Sequence, residues 1–265
     1  MNKVLNVSLI LPVFNEKQNL EYMIPQLNEV LEKKCDEFEI IVVDDSSTDD
    51  TTELMSKLTV TYSQVFHIIR KEDRSLPMSI YTGIQKSKFK NVMWLDADGS
   101  MDAESVEILL SRFSQDDSKY LIGSRFINGG GYKGQTPGSN SLVNLIKSIR
   151  NSEDSFLAIY LSILFNKILK LITSVKINDL TSGFIIGDKQ YINKDIFYSS
   201  NYGDYFIYLV MDLISQNLKI EEIGYYCKPR KFGSSKTSNN IIRLITLGIP
   251  YIKAAYICKK KLRID

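Results

Sequence analysis

The sequence predicts an α/β protein built on a doubly wound, mostly parallel sheet with helices on both faces. Over the first 125 residues, short β-branched runs alternate with amphipathic stretches of helical period. Acidic residues gather directly after these runs, where an open parallel sheet places its ligands. Hydrophobic residues make up 44% and charged residues 24% of 265, a balance that can bury a sizeable core.

The elements read in order as follows. Val7–Leu11 is a first strand. Glu16–Glu32 is helical, with Leu20, Met23, Ile24, Leu27, Val30 and Leu31 on one face. Glu39–Val43 is a buried strand, and Thr48 or Asp49 caps a helix running to Leu58. Val65–Ile69 is a strand, and Pro77 opens a helix to Lys88. Asn91–Leu95 is a fourth strand, Asp102–Phe113 a helix and Tyr120–Ser124 a fifth strand.

After residue 125 the alternation weakens. Asn128–Gly131 and Gly134–Gly138 read as loops. Phe156–Ile172 is an apolar helix carrying Lys167 and Lys170. Phe184–Ile186 and Ile220–Tyr226 read as strands, and Asp204–Gln216 as a helix. Ile241–Cys258 is a last apolar helix, interrupted at Arg243, Pro250 and Lys253.

Composition narrows the chemistry. One histidine, His67, excludes a histidine-rich zinc site and argues against a Ser-His mechanism. Three scattered cysteines suit reduced thiols in a cytoplasmic setting. A net charge of +2 gives the molecule no overall polyanion-binding character, so no nucleic acid is expected. Ten Lys/Arg against Asp265 alone crowd the stretch from Lys228 onward, which suits phosphates or an anionic membrane face. No signal peptide and no membrane-spanning run is evident.

The chemical candidates sit at strand ends. In Asp96-Ala97-Asp98, two carboxylates one residue apart can share Mg²⁺ or Mn²⁺, leaving places for diphosphate oxygens. Leu11-Pro12-Val13-Phe14-Asn15-Glu16 ends the first strand, and Val43-Asp44-Asp45-Ser46-Ser47 the second; a carboxylate there can accept hydrogen bonds from a base or ribose.

Together with Gly123-Ser124-Arg125-Phe126, these motifs resemble family-2 glycosyltransferases of the GT-A fold. Asn128-Gly-Gly-Gly131, Asp179-Leu-Thr-Ser-Gly-Phe184 and Arg230 with Lys236 make the chain most similar to the dolichyl- or polyprenyl-phosphate hexosyltransferases. The resemblance covers about residues 5–240. It implies a nucleotide-sugar donor of the GDP-mannose or UDP-glucose type and inverting, metal-dependent transfer. Pro12, Phe14, Glu16, Val43 and Asp45 would hold the nucleoside. Asp96, Ala97 and Asp98 would meet the diphosphate, with Asp96, Asp98 and Ser100 as the metal positions. Arg125 would contact sugar or acceptor phosphate, and Arg230 and Lys236 would stabilise the departing diphosphate.

The same likeness implies a polyprenyl-phosphate acceptor. A sugar hydroxyl as acceptor would need a general base instead, with Asp179 and Asp204 as candidates. A nucleotide-sugar-binding module without turnover is a third reading. The chain departs from the family pattern in Phe14 for tyrosine, in Arg74–Ser79 for a Gly-Leu-Gly loop, and in Ile163 for an acceptor-binding arginine, for which Lys147 and Arg150 are alternative cations. Residues 1–238 are expected to form the catalytic domain, with a donor half to 125 and an acceptor half from 126. Residues 239–265 would be a basic amphipathic tail attaching it to the cytoplasmic face of a membrane.

Overall fold

The computed structural model describes residues 5–115, 119–132, 156–233 and 241–262. Its centre is a seven-stranded sheet in the order β3-β2-β1-β4-β7-β5-β8. The strands are β1 (Asn6–Val13), β2 (Glu37–Asp44), β3 (Val65–Ile69), β4 (Asn91–Trp94), β5 (Tyr120–Ser124), β7 (Ile185–Asp188) and β8 (Ile220–Gly224). A two-stranded parallel ribbon pairs β6 (Gly131–Tyr132) with β9 (Tyr226–Cys227). The helices are α1 (Lys17–Lys34), α2 (Thr51–Thr61), α3 (Leu76–Lys86), α4 (Ala103–Gln115), α5 (Phe156–Thr173), α6 (Asp195–Ser199), α7 (Tyr205–Ser215) and α8 (Ile241–Leu262).

The expected doubly wound architecture is present, and period-two alternation builds it. On β1, Val7, Leu9 and Leu11 face the layer holding Leu20, Leu27 and Val106, whereas Ile10 faces the layer holding Ile80, Phe206 and Ala254. Both faces of the central strands β1, β2 and β4 are therefore dry, as their continuous apolar runs require. Strand positions match the sequence reading to within a few residues, because strands buried on both faces leave an uninterrupted apolar signature.

Three features differ from the sequence reading. Strand β7 is antiparallel to both neighbours, β4 and β5; four apolar-rich residues carry no mark of direction. Helix α8 is continuous from Ile241 to Leu262 with Pro250 inside it, because Ala254, Ala255 and Cys258 are buried against the second core and hold the helix across the lost hydrogen bond. Helix α6 and the ribbon of β6 and β9 are too short to give a periodic signal.

The parallel strands β1, β2 and β4 all exit on one side. Register places Val13 beside Asp44, so the acidic loops after β1 and β2 are neighbours by construction.

Candidate active site

The loops leaving β1 and β2 are stitched together. Asn15 has φ 58° and Ser46 φ 60°, left-handed values that asparagine tolerates better than most residues. The Asn15 side-chain oxygen accepts the Thr48 amide at 2.7 Å, and the Asn15 amide donates to Ser47 Oγ at 2.9 Å. The Ser46 hydroxyl donates to the Arg70 carbonyl. Strain of this kind concentrates at working sites.

A cleft of about 490 Å³ opens beyond these loops. The end of β1 contributes Pro12, Phe14 and Glu16, and the end of β2 contributes Asp45. Asp96, Ala97 and Asp98 follow β4, and Arg230 arrives from beyond β9. Eight of the sequence-predicted residues thus meet in one cavity.

Their electrostatic states differ. Asp45 is buried and saturated: Arg70 Nη1 lies 2.5 Å from one oxygen, and the Ser75 amide donates to the other at 2.7 Å. Asp44 beside it is fully buried. Burial alone would raise its carboxyl, but the His67 ring at 3.4 Å and the Ser47 amide at 2.8 Å hold it below the ordinary value.

Asp96 and Asp98 form no ion pair among the described residues. One Asp98 oxygen accepts the Ser100 amide at 2.9 Å. Asp96 is reached by solvent from the cleft yet crowded by protein; loss of surrounding water, then the Asp98 charge, push its carboxyl up to about 7. Among the described residues no group of three or more His, Cys, Asp or Glu side chains could hold a metal. Two hard carboxylates without an ion pair among the described residues, lining an open cavity, nevertheless fit Mg²⁺ or Mn²⁺, which complete their shells with water and phosphate oxygens.

Arg230 lines the same cleft as this pair. Its Nη2 donates to Glu16, and its Nε is buried without a partner among the described residues. The strip around it is pinned to the loop after β4 by Lys228 N to Ser100 O at 2.9 Å and Lys231 N to Asp98 O at 3.3 Å.

Other predicted residues lie elsewhere. Val43 is fully buried in the core below the cleft, because the strand's alternation turns it inward. Ser100 is half-buried and is not among the cleft's lining residues. Arg125 is forked onto Asp179 by bonds of 2.8 Å from both Nε and Nη2, and Nη2 also reaches Thr181 Oγ1 at 2.9 Å. Asp179 is fully buried and so engaged with Arg125. Asp204 is buried and accepts the amides of Asn201 and Tyr202. Lys236, Lys147 and Arg150 lie outside the described residues.

Sequence reasoning missed Arg70, Arg74 and Tyr202. Arg70 directly follows β3 and could have been found as a fourth polar strand end. The Arg74 guanidinium carbon sits 3.2 Å over the Phe14 ring centroid, filling the side of the cleft where a Gly-Leu-Gly loop was expected. Tyr202 lies in an irregular turn and gave no signal. It also lines a second cavity of about 380 Å³ between α5 and α8, walled by Leu161, Leu164, Phe165, Leu247 and Tyr251.

The profile of glycosyl transferase family 2 matches residues 8–195. The chain belongs to this family. Within it, this family-2 glycosyltransferase is 31% identical to a dolichol-phosphate mannosyltransferase of Pyrococcus furiosus over 126 residues, 48% of this chain and 35% of that protein. It is 29% identical to a poly-β-1,6-N-acetyl-D-glucosamine synthase of Staphylococcus aureus over 110 residues, 42% of this chain and 26% of that protein. The matched stretches thus span about a third and about a quarter of those relatives' own length. Among solved structures, it superposes on glucosyl-3-phosphoglycerate synthase from Mycobacterium tuberculosis with a TM-score of 0.63 at 14% identity, over 96% of this chain and 78% of that one. That enzyme was crystallised with Mn²⁺, UDP and phosphoglyceric acid, and in another structure with Mg²⁺ and UDP. The likeness is one of fold, and the fold is GT-A.

Proposed function

We propose that this family-2 glycosyltransferase moves a hexose, with inversion, from a nucleotide sugar of the GDP-mannose or UDP-glucose type to a polyprenyl phosphate at a membrane surface. The observation that carries the reading is Tyr202, which borders both the polar cleft and the apolar cavity between α5 and α8. A phosphate on an isoprenoid chain needs both environments side by side. The M. tuberculosis enzyme supports a nucleoside diphosphate as donor product, and the P. furiosus relative supports a lipid-phosphate acceptor.

In this reading Phe14 offers a flat face to the nucleobase, with Arg74 closing over it. Pro12 and Asp45 bound the nucleoside end of the cleft. A divalent cation held by Asp96 and Asp98 would neutralise charge on the leaving diphosphate. Arg230 meets the same diphosphate with a planar guanidinium, and Lys236, which follows it in the sequence, would add a point charge. Arg125 is not among the cleft's lining residues and is paired with Asp179; it would act on sugar or acceptor phosphate from behind the cleft wall. An acceptor phosphate is already anionic and attacks without a strong base. Both candidate bases, Asp179 and Asp204, are buried and hydrogen-bonded, which favours this acceptor over a sugar hydroxyl.

Exposed Leu164, Ile168 and Leu171 on α5 and Ile249, Ile252 and Tyr256 on α8 support a membrane-facing surface. Exposed Lys167, Lys253, Lys260 and Lys261 suit anionic headgroups. No described helix is long and apolar enough to cross a membrane. Because α8 also buries Ala254 and Ala255, the attachment is tested by substitution rather than truncation: Ile249→Ser with Tyr256→Ser should release the protein from anionic vesicles.

The deciding experiment supplies labelled GDP-mannose or UDP-glucose and Mn²⁺ to the protein with vesicles containing polyprenyl phosphate. Label should enter the organic phase, and only when polyprenyl phosphate is present. Label passing instead to a water-soluble oligosaccharide acceptor overturns the lipid reading and favours hydroxyl transfer, as the name of the S. aureus relative suggests.

A further inference from the structure

Helix α1 begins with an irregularity. Glu16 occupies its N-cap but makes no capping bond, because both carboxylate oxygens are used elsewhere. One accepts from Arg230 Nη2, and the other accepts from the Asn19 side-chain amide at 2.6 Å.

Asn19 does more than orient Glu16. It is 2% exposed, which is unusual for an amide in the first turn of a helix. Its Nδ2 also reaches the Phe232 carbonyl at 3.3 Å, and its Oδ1 accepts the Phe232 amide at 3.2 Å. An amide paired with both polar atoms of one backbone residue fixes that residue's position as a strand pairing would. Outside this pair, the Phe232 ring stands edge-on to Tyr22 with centroids 6.4 Å apart, and Lys231 Nζ lies 4.6 Å from the centre of the Tyr22 ring. One buried amide therefore governs Arg230 in two ways: its backbone through Phe232, and its side chain through Glu16.

We propose that Asn19 and Glu16 are positioning residues for Arg230, and that Asn19 sets the register of the strip 228–232 so that the guanidinium is already aimed at the nucleoside diphosphate when the donor enters. This rests on the reading of Arg230 as a diphosphate contact. It also reassigns Glu16, expected to touch the nucleoside, to orienting that contact. Preorganisation acts on the diphosphate group alone, since the base end of the cleft is built by Phe14, Arg74 and Asp45.

The test compares UDP and GDP with UMP and GMP, all with Mn²⁺, by calorimetric titration of the full chain. Asn19→Asp keeps the size of the side chain and the acceptor for Phe232 N but removes both donors. It should weaken diphosphate binding by about tenfold and leave monophosphate binding within about twofold. Asn19→Ser serves as a smaller second variant. In an Arg230→Ala background, Asn19→Asp should add no further loss, because the group it positions is gone. Equal losses for mono- and diphosphates, additive losses with Arg230→Ala, or diphosphate binding unchanged in Asn19→Asp would each overturn the inference. Diphosphate binding unchanged in Arg230→Ala itself would overturn the underlying reading of Arg230 instead.

Discussion

The ends of β2 and β4 carry the same kind of residue in opposite states. At β2, Asp44 and Asp45 are buried and answered by the protein, through His67 and Ser47 for one and Arg70 and the Ser75 amide for the other. At β4, Asp96 and Asp98 face the cavity and no ion pair answers them among the described residues. The first pair shapes the cleft; the second leaves a charge for something outside the chain to neutralise. An acidic strand end is therefore informative only together with its counter-charge.

The comparison can be broken most severely at Asp45. Asp45→Asn should leave the Arg70 guanidinium, 5% exposed, with the exposed Glu72 at 3.7 Å as its remaining counter-charge among the described residues, and cost about 3 kcal/mol in urea unfolding. A loss confined to donor binding would show that Asp45 belongs with the β4 pair. Asp98→Ala should do the opposite, lowering turnover about a hundredfold while the melting temperature of the metal-free protein holds or rises, since a like charge beside Asp96 has gone. Full metal-dependent activity in that variant would remove the β4 site.

A smaller effect is expected at Gly99, whose φ of 81° and 3.2 Å clearance to Lys231 Cβ leave little room for a side chain. Gly99→Ala should cost about 1 kcal/mol of stability and lower metal affinity through Asp98. The smallest effect concerns pH. Asp44 titrates below its ordinary value, so its stabilising contribution is present above about pH 4 and is lost as pH falls through the depressed value. The gap in urea midpoint between wild type and Asp44→Asn should accordingly be full at pH 7 and close under acid. A gap that persists under acid would leave Asp44's hydrogen-bonded charge without a role.

The sheet was legible because β1, β2 and β4 are buried on both faces, and a short, unbroken apolar run between polar loops fits little besides a buried strand. The acids after those strands were legible for the same reason, since the strand announces where the loop begins. The counter-ions were not. Arg70 was visible only as a polar residue closing β3, with nothing local to say that it answers Asp45, and Asn19 reaches Phe232 across more than two hundred positions of sequence, a separation that leaves no local trace. Ile163 illustrates the reverse. Its departure from the family pattern was plain, but the apolar cavity between α5 and α8 on which the acceptor reading now leans appears only when two distant helices pack.

The reversed strand β7 has a consequence for how the chain is made. Strand β4 gains its partner on that side only when residues 185–188 arrive, with Asn91 joining Asp188. At ribosomal rates of roughly 5–20 residues per second, a nascent chain holds β1 to β4 for on the order of several seconds with one bare edge. That edge is an invitation to the wrong strand. Its length of four residues limits how firmly a stranger can pair there, so the brevity of β4 protects the protein before it has a function to perform.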